Sequence, residues 1–153
     1  MSIFAELRAG VVTGSAGETR LLGARFAAAL PPDATLALHG NLGVGKTTFV
    51  QGLAQGFGIP DTVTSPTFNI LHLYRGGPAL HSPGEGGRTL VHLDAYRLEN
   101  AHQVSELMLE DFLASPYCLA VEWPERIAAW LPADALHLVL GIEMPGRHRV
   151  ALG

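Results

Sequence analysis

Lysine is almost missing from this chain. Lys46 is the only one among ten basic residues, and the rest are arginines. Cysteine is as scarce: a lone Cys118 excludes an internal disulfide, and its place in an apolar run reads as a buried small hydrophobe. Charged residues are only 16% of the chain against 48% hydrophobic, which excludes a disordered polypeptide. No apolar run approaches a membrane span, and the first residues lack a signal-peptide pattern, so no membrane and a cytoplasmic location are expected. Seven histidines are scattered without metal-ligand spacing. The net charge of −4 speaks against autonomous tight binding to nucleic acid, which needs a basic surface. At 153 residues the expectation is one domain with a substantial core.

The solitary lysine sits in Gly40-Asn41-Leu42-Gly43-Val44-Gly45-Lys46-Thr47, which fits G-x-x-x-x-G-K-[ST], the phosphate-binding loop of nucleotide hydrolases. The spacing has a physical reason. Glycines let the backbone turn tightly and approach an anion. Successive N–H groups then line a concave nest, and the helix that follows adds its positive end. A lysine ammonium reaches the β- and γ-phosphates as a mobile point charge, which arginine's rigid fork replaces poorly. Thr47 supplies a hydroxyl for Mg²⁺. The context agrees: residues 35–39 read as a buried strand entering the loop, and 48–57 as a helix leaving it, stopped near Gly56 and Gly58.

Elsewhere, Ser15 and Glu18 form a capping box that opens a helix through about Leu30. Residues 69–74 and 89–94 read as strands joined by a Gly/Pro-rich hairpin connection, 75–88, expected to be flexible at its tip. Asn100 caps an expected helix over 101–114, with Val104, Leu107, Met108, Phe112 and Leu113 as its apolar side. The acidic side, Glu106, Glu110 and Asp111, reads as a solvated face or a partner surface. A buried strand, 117–121, ends at Glu122; a short helix follows over 124–131, with Pro124 suited to its first turn. Strands over 135–142 and 147–152 close the chain.

A phosphate loop alone binds; hydrolysis also needs a metal-linked acid and a group that positions water. Glu122 ends an apolar strand, at the end where open α/β sheets hold ligands, and Asp94 ends a more mixed one, Leu90-Val91-His92-Leu93. One would bind Mg²⁺ while the other orients the attacking water, and the residues alone leave the assignment open. His92 shares a face with Asp94 by two-residue periodicity. Thr67 reads either as a switch residue that orders around the γ-phosphate or as part of a simple proline turn. Trp123 is core or a border of the nucleotide; Arg147 and Arg149 are a solvated hairpin or nucleotide contacts.

Residues 40–48, then Ser65-Pro66-Thr67-Phe68, then His92-Leu93-Asp94-Ala95-Tyr96-Arg97-Leu98, then Val121-Glu122-Trp123-Pro124 make the chain resemble the TsaE family over about Thr19 to Arg149. The resemblance implies a small cytoplasmic Mg²⁺-dependent ATPase. It would bind a TsaB–TsaD complex and support formation of N6-threonylcarbamoyladenosine (t6A) in tRNA without performing the transfer. Hydrolysis would be slow alone and partner-dependent, and tRNA would be met only through the partners. On the matching positions, Leu42, Gly43, Val44, Gly45, Lys46 and Thr47 would cradle phosphates, with Thr48 beside them, and Thr47 and Glu122 would hold Mg²⁺. Lys46, Asp94 and Glu122 would be the catalytic set, Thr19 would lie near the base, and Arg147 would contact nucleotide. Asn41 departs from the aspartate usual in the family, and the insertion over 76–87 is longer than its pattern.

The expected fold is α/β: a P-loop NTPase-like, three-layer arrangement around a mixed, largely parallel sheet, in one domain spanning 1–153 with the insertion at about 75–88. Two other functions use the same loop. A small-molecule kinase would need an arginine-bearing lid, and the basic residues here are few and spread. A nucleotide-dependent binding module would turn over negligibly; the presence of both Asp94 and Glu122 argues for chemistry.

Overall fold

The computed structural model describes residues 2–41, 43–64, 70–76 and 88–153. In chain order the regular elements are α1 (Ile3–Ala9), β1 (Val11–Thr13), α2 (Ala16–Ala29), β2 (Ala34–His39), α3 (Lys46–Gly56), β3 (Leu71–Arg75), β4 (Thr89–Asp94), α4 (Ala101–Glu106), β5 (Tyr117–Glu122), β6 (Leu136–Met144) and β7 (Arg147–Leu152). The seven strands form one sheet in the order β1-β7-β6-β2-β5-β4-β3. The four central strands β6, β2, β5 and β4 are parallel, while β7 and β1 at one edge and β3 at the other are antiparallel. This is the expected α/β fold with a mixed sheet.

β2, β4 and β5 read as nearly continuous apolar runs because both of their faces are covered. On one face Leu36, Leu38, Leu90, Ala120 and Leu138 pack with Leu22, Phe26, Phe49 and Leu53 of α2 and α3. On the other, Val91, Leu93, Leu119 and Val121 pack with Leu98, Val104, Leu109 and Ile127. The two large helices cross closely: a Cβ on Gly52 would run into the Arg20 carbonyl, so α2 and α3 touch backbone to backbone there.

Several expected elements differ. The helix over 101–114 stops at Glu106, Met108 takes a left-handed conformation (φ 50, ψ 48), and a 3-10 turn, Leu109–Phe112, follows. A continuous helix would have buried Met108; the break exposes it to 61% and sends Leu109 into the core instead. Residues after Pro124 form a 3-10 turn, Pro124–Ile127, rather than a longer helix. α1 and β1 had no counterpart in the reading of the sequence; α1 is capped by the Ser2 side chain and anchored by Ile3 and Leu7. β3 and β4 do form a hairpin, closed by Gly76 N–H on the Arg88 carbonyl at 2.9 Å. Its tip lies outside the described residues, as do Leu42 and the stretch over 65–69 with Thr67.

Candidate functional site

β2 delivers the chain to the loop at its carboxyl end. Gly40, Gly43 and Gly45 all have positive φ (148, 82 and 100), conformations that favour glycine. Gly45 caps α3 without any side-chain hydrogen bond, so the first N–H groups of an 11-residue helix are left for a ligand. Behind the loop, Val44 is buried and its carbonyl accepts from His148 Nδ1 at 3.0 Å.

Lys46 begins α3 and is only 5% exposed. Its Nζ donates to the Gly40 carbonyl at 2.7 Å and lies 4.0 Å from the centre of the Trp123 ring. Burial holds the ammonium below the usual lysine range, partly offset by the carboxylates of Glu122, Asp94 and Glu125. Trp123 reaches it because the residue itself is left-handed (φ 57, ψ 51), turning the chain sharply after β5; its ring also packs against Tyr96, centroids 5.1 Å apart.

Across from the loop stand the two acids. β4 and β5 are parallel neighbours with Asp94 in register with Glu122, so both carboxylates leave the carboxyl ends of their strands toward the loop. Asp94 Oδ1 accepts from the Tyr96 N–H at 2.9 Å, and Glu122 Oε2 accepts from His92 Nε2 at 2.5 Å. α2 supplies Thr19, whose buried hydroxyl is 2.7 Å from that of Thr13.

Together these groups line one cleft of about 390 Å³. Gly43, Gly45, Lys46, Thr47 and Thr48 come from the loop and α3, Asp94 and Glu122 with Trp123 from the strands, and Thr19 from α2. The side chain of Val44 lies behind the loop rather than in the cleft, and Arg147 is exposed at the start of β7, outside the lining. His148 does line it, although the glycine turn in the sequence points to its neighbours Arg147 and Arg149 instead. Strand alternation was the available signal: residues 147 and 149 share one face of β7, and 148 takes the other. Asn41 is exposed and borders a separate, more open depression beside His39 and Glu125.

The donors in the cleft suit Mg²⁺. Among the described residues no three His, Cys, Asp or Glu side chains form a cage for a metal. Magnesium is ordinarily held by one or two carboxylates together with substrate phosphates, and the oxygens of Thr47, Glu122 and Asp94 are of that hard kind.

A glycine-built loop between a central strand and a helix, with strand-end acids facing it, defines a P-loop nucleotide-binding protein of the α/β class. Residues 13–149 match the family model "Threonylcarbamoyl adenosine biosynthesis protein TsaE", and the chain belongs to that family. The tRNA threonylcarbamoyladenosine biosynthesis protein TsaE of Treponema pallidum is 31% identical over 141 residues, covering 92% of this chain and 97% of that protein. The protein of the same name from Bacillus subtilis is 36% identical over 123 residues, covering 80% of this chain and 71% of the relative. The crystal structure of Bacillus subtilis YdiB superposes with a TM-score of 0.69 at 30% identity, covering 94% of this chain and 82% of that one.

Proposed function

We propose that this chain is a Mg²⁺-dependent ATPase that supports t6A modification of tRNA by regulating a TsaB–TsaD complex in the cytoplasm. The observation that carries the reading is the in-register pair Asp94 and Glu122 facing Lys46 and Thr47 across one cleft.

Each residue then has a role. The loop N–H groups cradle the phosphates, and Lys46 exchanges the Gly40 carbonyl and the indole for phosphate oxygens. Thr47 and Glu122 would hold Mg²⁺, which would supply charge neutralisation for the phosphates. Asp94 orients the attacking water. Thr19 lies on the base side, and Arg147, exposed on β7, is available to the nucleotide only at the rim.

Slow turnover without partners follows from what lines the cleft. Among the described residues Lys46 is its only lysine or arginine, whereas fast phosphoryl transfer commonly recruits an arginine to the developing charge. A TsaB–TsaD complex would complete the site, hold the tRNA that this acidic chain does not, and sense the nucleotide state. Among the described residues no helix is long and apolar enough to cross a membrane.

The test is reconstitution. Added to TsaB, TsaD, tRNA and a supply of the threonylcarbamoyl adenylate, the protein should raise t6A formation over multiple turnovers, and Glu122→Ala should abolish both the stimulation and Mg²⁺-dependent phosphate release. No stimulation by the wild-type protein would overturn the reading.

A further inference from the structure

The roles above leave His92 unused. It lies in the middle of β4 with no exposed surface, among Leu90, Leu93 and other apolar core residues. A buried imidazole costs free energy unless it is hydrogen-bonded, and a leucine would fill a core position without that cost. The register places His92 opposite Ala120 and Asp94 opposite Glu122, so the ring passes its small neighbour and meets the carboxylate diagonally, Nε2 to Oε2 at 2.5 Å.

Two observations say what that bond does. Among the described residues no other hydrogen bond reaches the Glu122 carboxylate, so its Oε1 is left for the cleft. Lys46, lining the same cleft, is a competitor for that carboxylate: Glu122 is the strongest attractive charge acting on it. Yet no ion pair joins them, and the ammonium donates to the Gly40 carbonyl instead.

We propose that His92 is a positioning residue: by holding Oε2 it keeps Glu122 from collapsing onto Lys46 and presents the second carboxylate oxygen to the metal. The inference rests on the reading of Glu122 as a Mg²⁺ ligand. His92 touches neither nucleotide nor metal; it acts through Glu122, and the site stays divided into a cationic half for phosphate and an anionic half for metal.

The experiment measures Mn²⁺ binding to the ADP-bound protein by electron paramagnetic resonance, and metal-free ADP binding by calorimetry, with circular dichroism melts as the check on folding. Glu122→Gln should weaken Mn²⁺ binding. His92→Leu should weaken it about tenfold or more, the usual effect of losing a partner behind a metal ligand, and should lower metal-free ADP affinity as Glu122 turns to Lys46. The double variant should bind Mn²⁺ no more weakly than Glu122→Gln alone and should recover the metal-free ADP affinity, because the two residues act as one unit. His92→Gln, which carries a donor at the reach of Nε2, should stay nearer wild type than His92→Asn. If His92→Leu does not fold, the glutamine and asparagine variants decide the matter alone. Unchanged Mn²⁺ binding in Glu122→Gln would overturn the metal assignment and this inference with it. Weakened binding there, with wild-type binding in every folded His92 variant or additive losses in the double variant, would overturn the role of His92 while the metal assignment stands.

Discussion

At the scale of single residues, Lys46 is poised rather than paired. Its ammonium is desolvated, bonded to one carbonyl and stacked on one ring, with no carboxylate in contact. Lys46→Ala should weaken ATP binding by roughly 10- to 100-fold, the worth of one charge-assisted contact, and Lys46→Arg should not restore it, because a planar fork does not fit a nest shaped for a point charge. Calorimetry on both variants checks this; wild-type affinity in the alanine variant would remove Lys46 from the site. The sign of the pH dependence follows from burial. The ammonium of the free protein loses its proton below the usual lysine range, and phosphate favours the charged form. ATP affinity should therefore hold while the pH is below that lowered range and fall as the pH rises through it, and the Lys46→Ala variant should lack that fall. The residues that meet in the cleft were legible at this scale because each of Lys46, Thr47, Asp94 and Glu122 sits beside a local mark, a glycine turn or the end of a strand. The contact of His92 with Glu122 was not, since it depends on which strands become neighbours, and alternation along β7 separates His148 from Arg147 and Arg149 without saying what it faces.

At the scale of elements, the contact of α2 with α3 sets the geometry. Glycine to alanine inside a helix normally stabilises by about 1 kcal/mol. At Gly52 the new methyl group has to displace the Arg20 backbone, and overpacking of that kind costs about 1–3 kcal/mol. Gly52→Ala should therefore lower the melting temperature by roughly 2–4 °C for each kcal/mol lost, as thermal unfolding would show; a rise would mean the helices can separate at little cost. Propensity predicted the opposite sign, which marks the limit of reading elements one at a time. The same limit explains the 101–114 stretch. Its helical pattern was real on paper, but burying Leu109 required a break at Met108 that no local residue announces. α1 and β1 escaped notice because seven and three residues are too short for a periodic signal, and their support comes from β7 and α2.

At the scale of the whole molecule, sheet order does what sequence order does not. β2 lies between β5 and β6, so the loop that leaves β2 faces acids delivered from strands far along the chain. The α/β class was readable from the alternation of elements and the phosphate loop from its glycine and lysine spacing, and the neighbours of β2 were not. Charge acts at this scale as well. With a net charge of −4 the chain should retain little tRNA by itself in gel-shift assays at low salt, and should join a tRNA complex only when TsaB and TsaD are present. Tight retention of tRNA by the isolated protein would contradict the division of labour proposed for the partners.

The stacking of the sole lysine on an indole has one more result. Trp123 lies 4.0 Å from the only ε-ammonium in the chain. Lysine labelled with nitrogen-15 at Nζ alone therefore places one side-chain signal in the entire magnetic resonance spectrum, already inside the ring-current field of that tryptophan. When Nζ leaves the indole the signal shifts, so occupancy of the site becomes visible with no assignment to make.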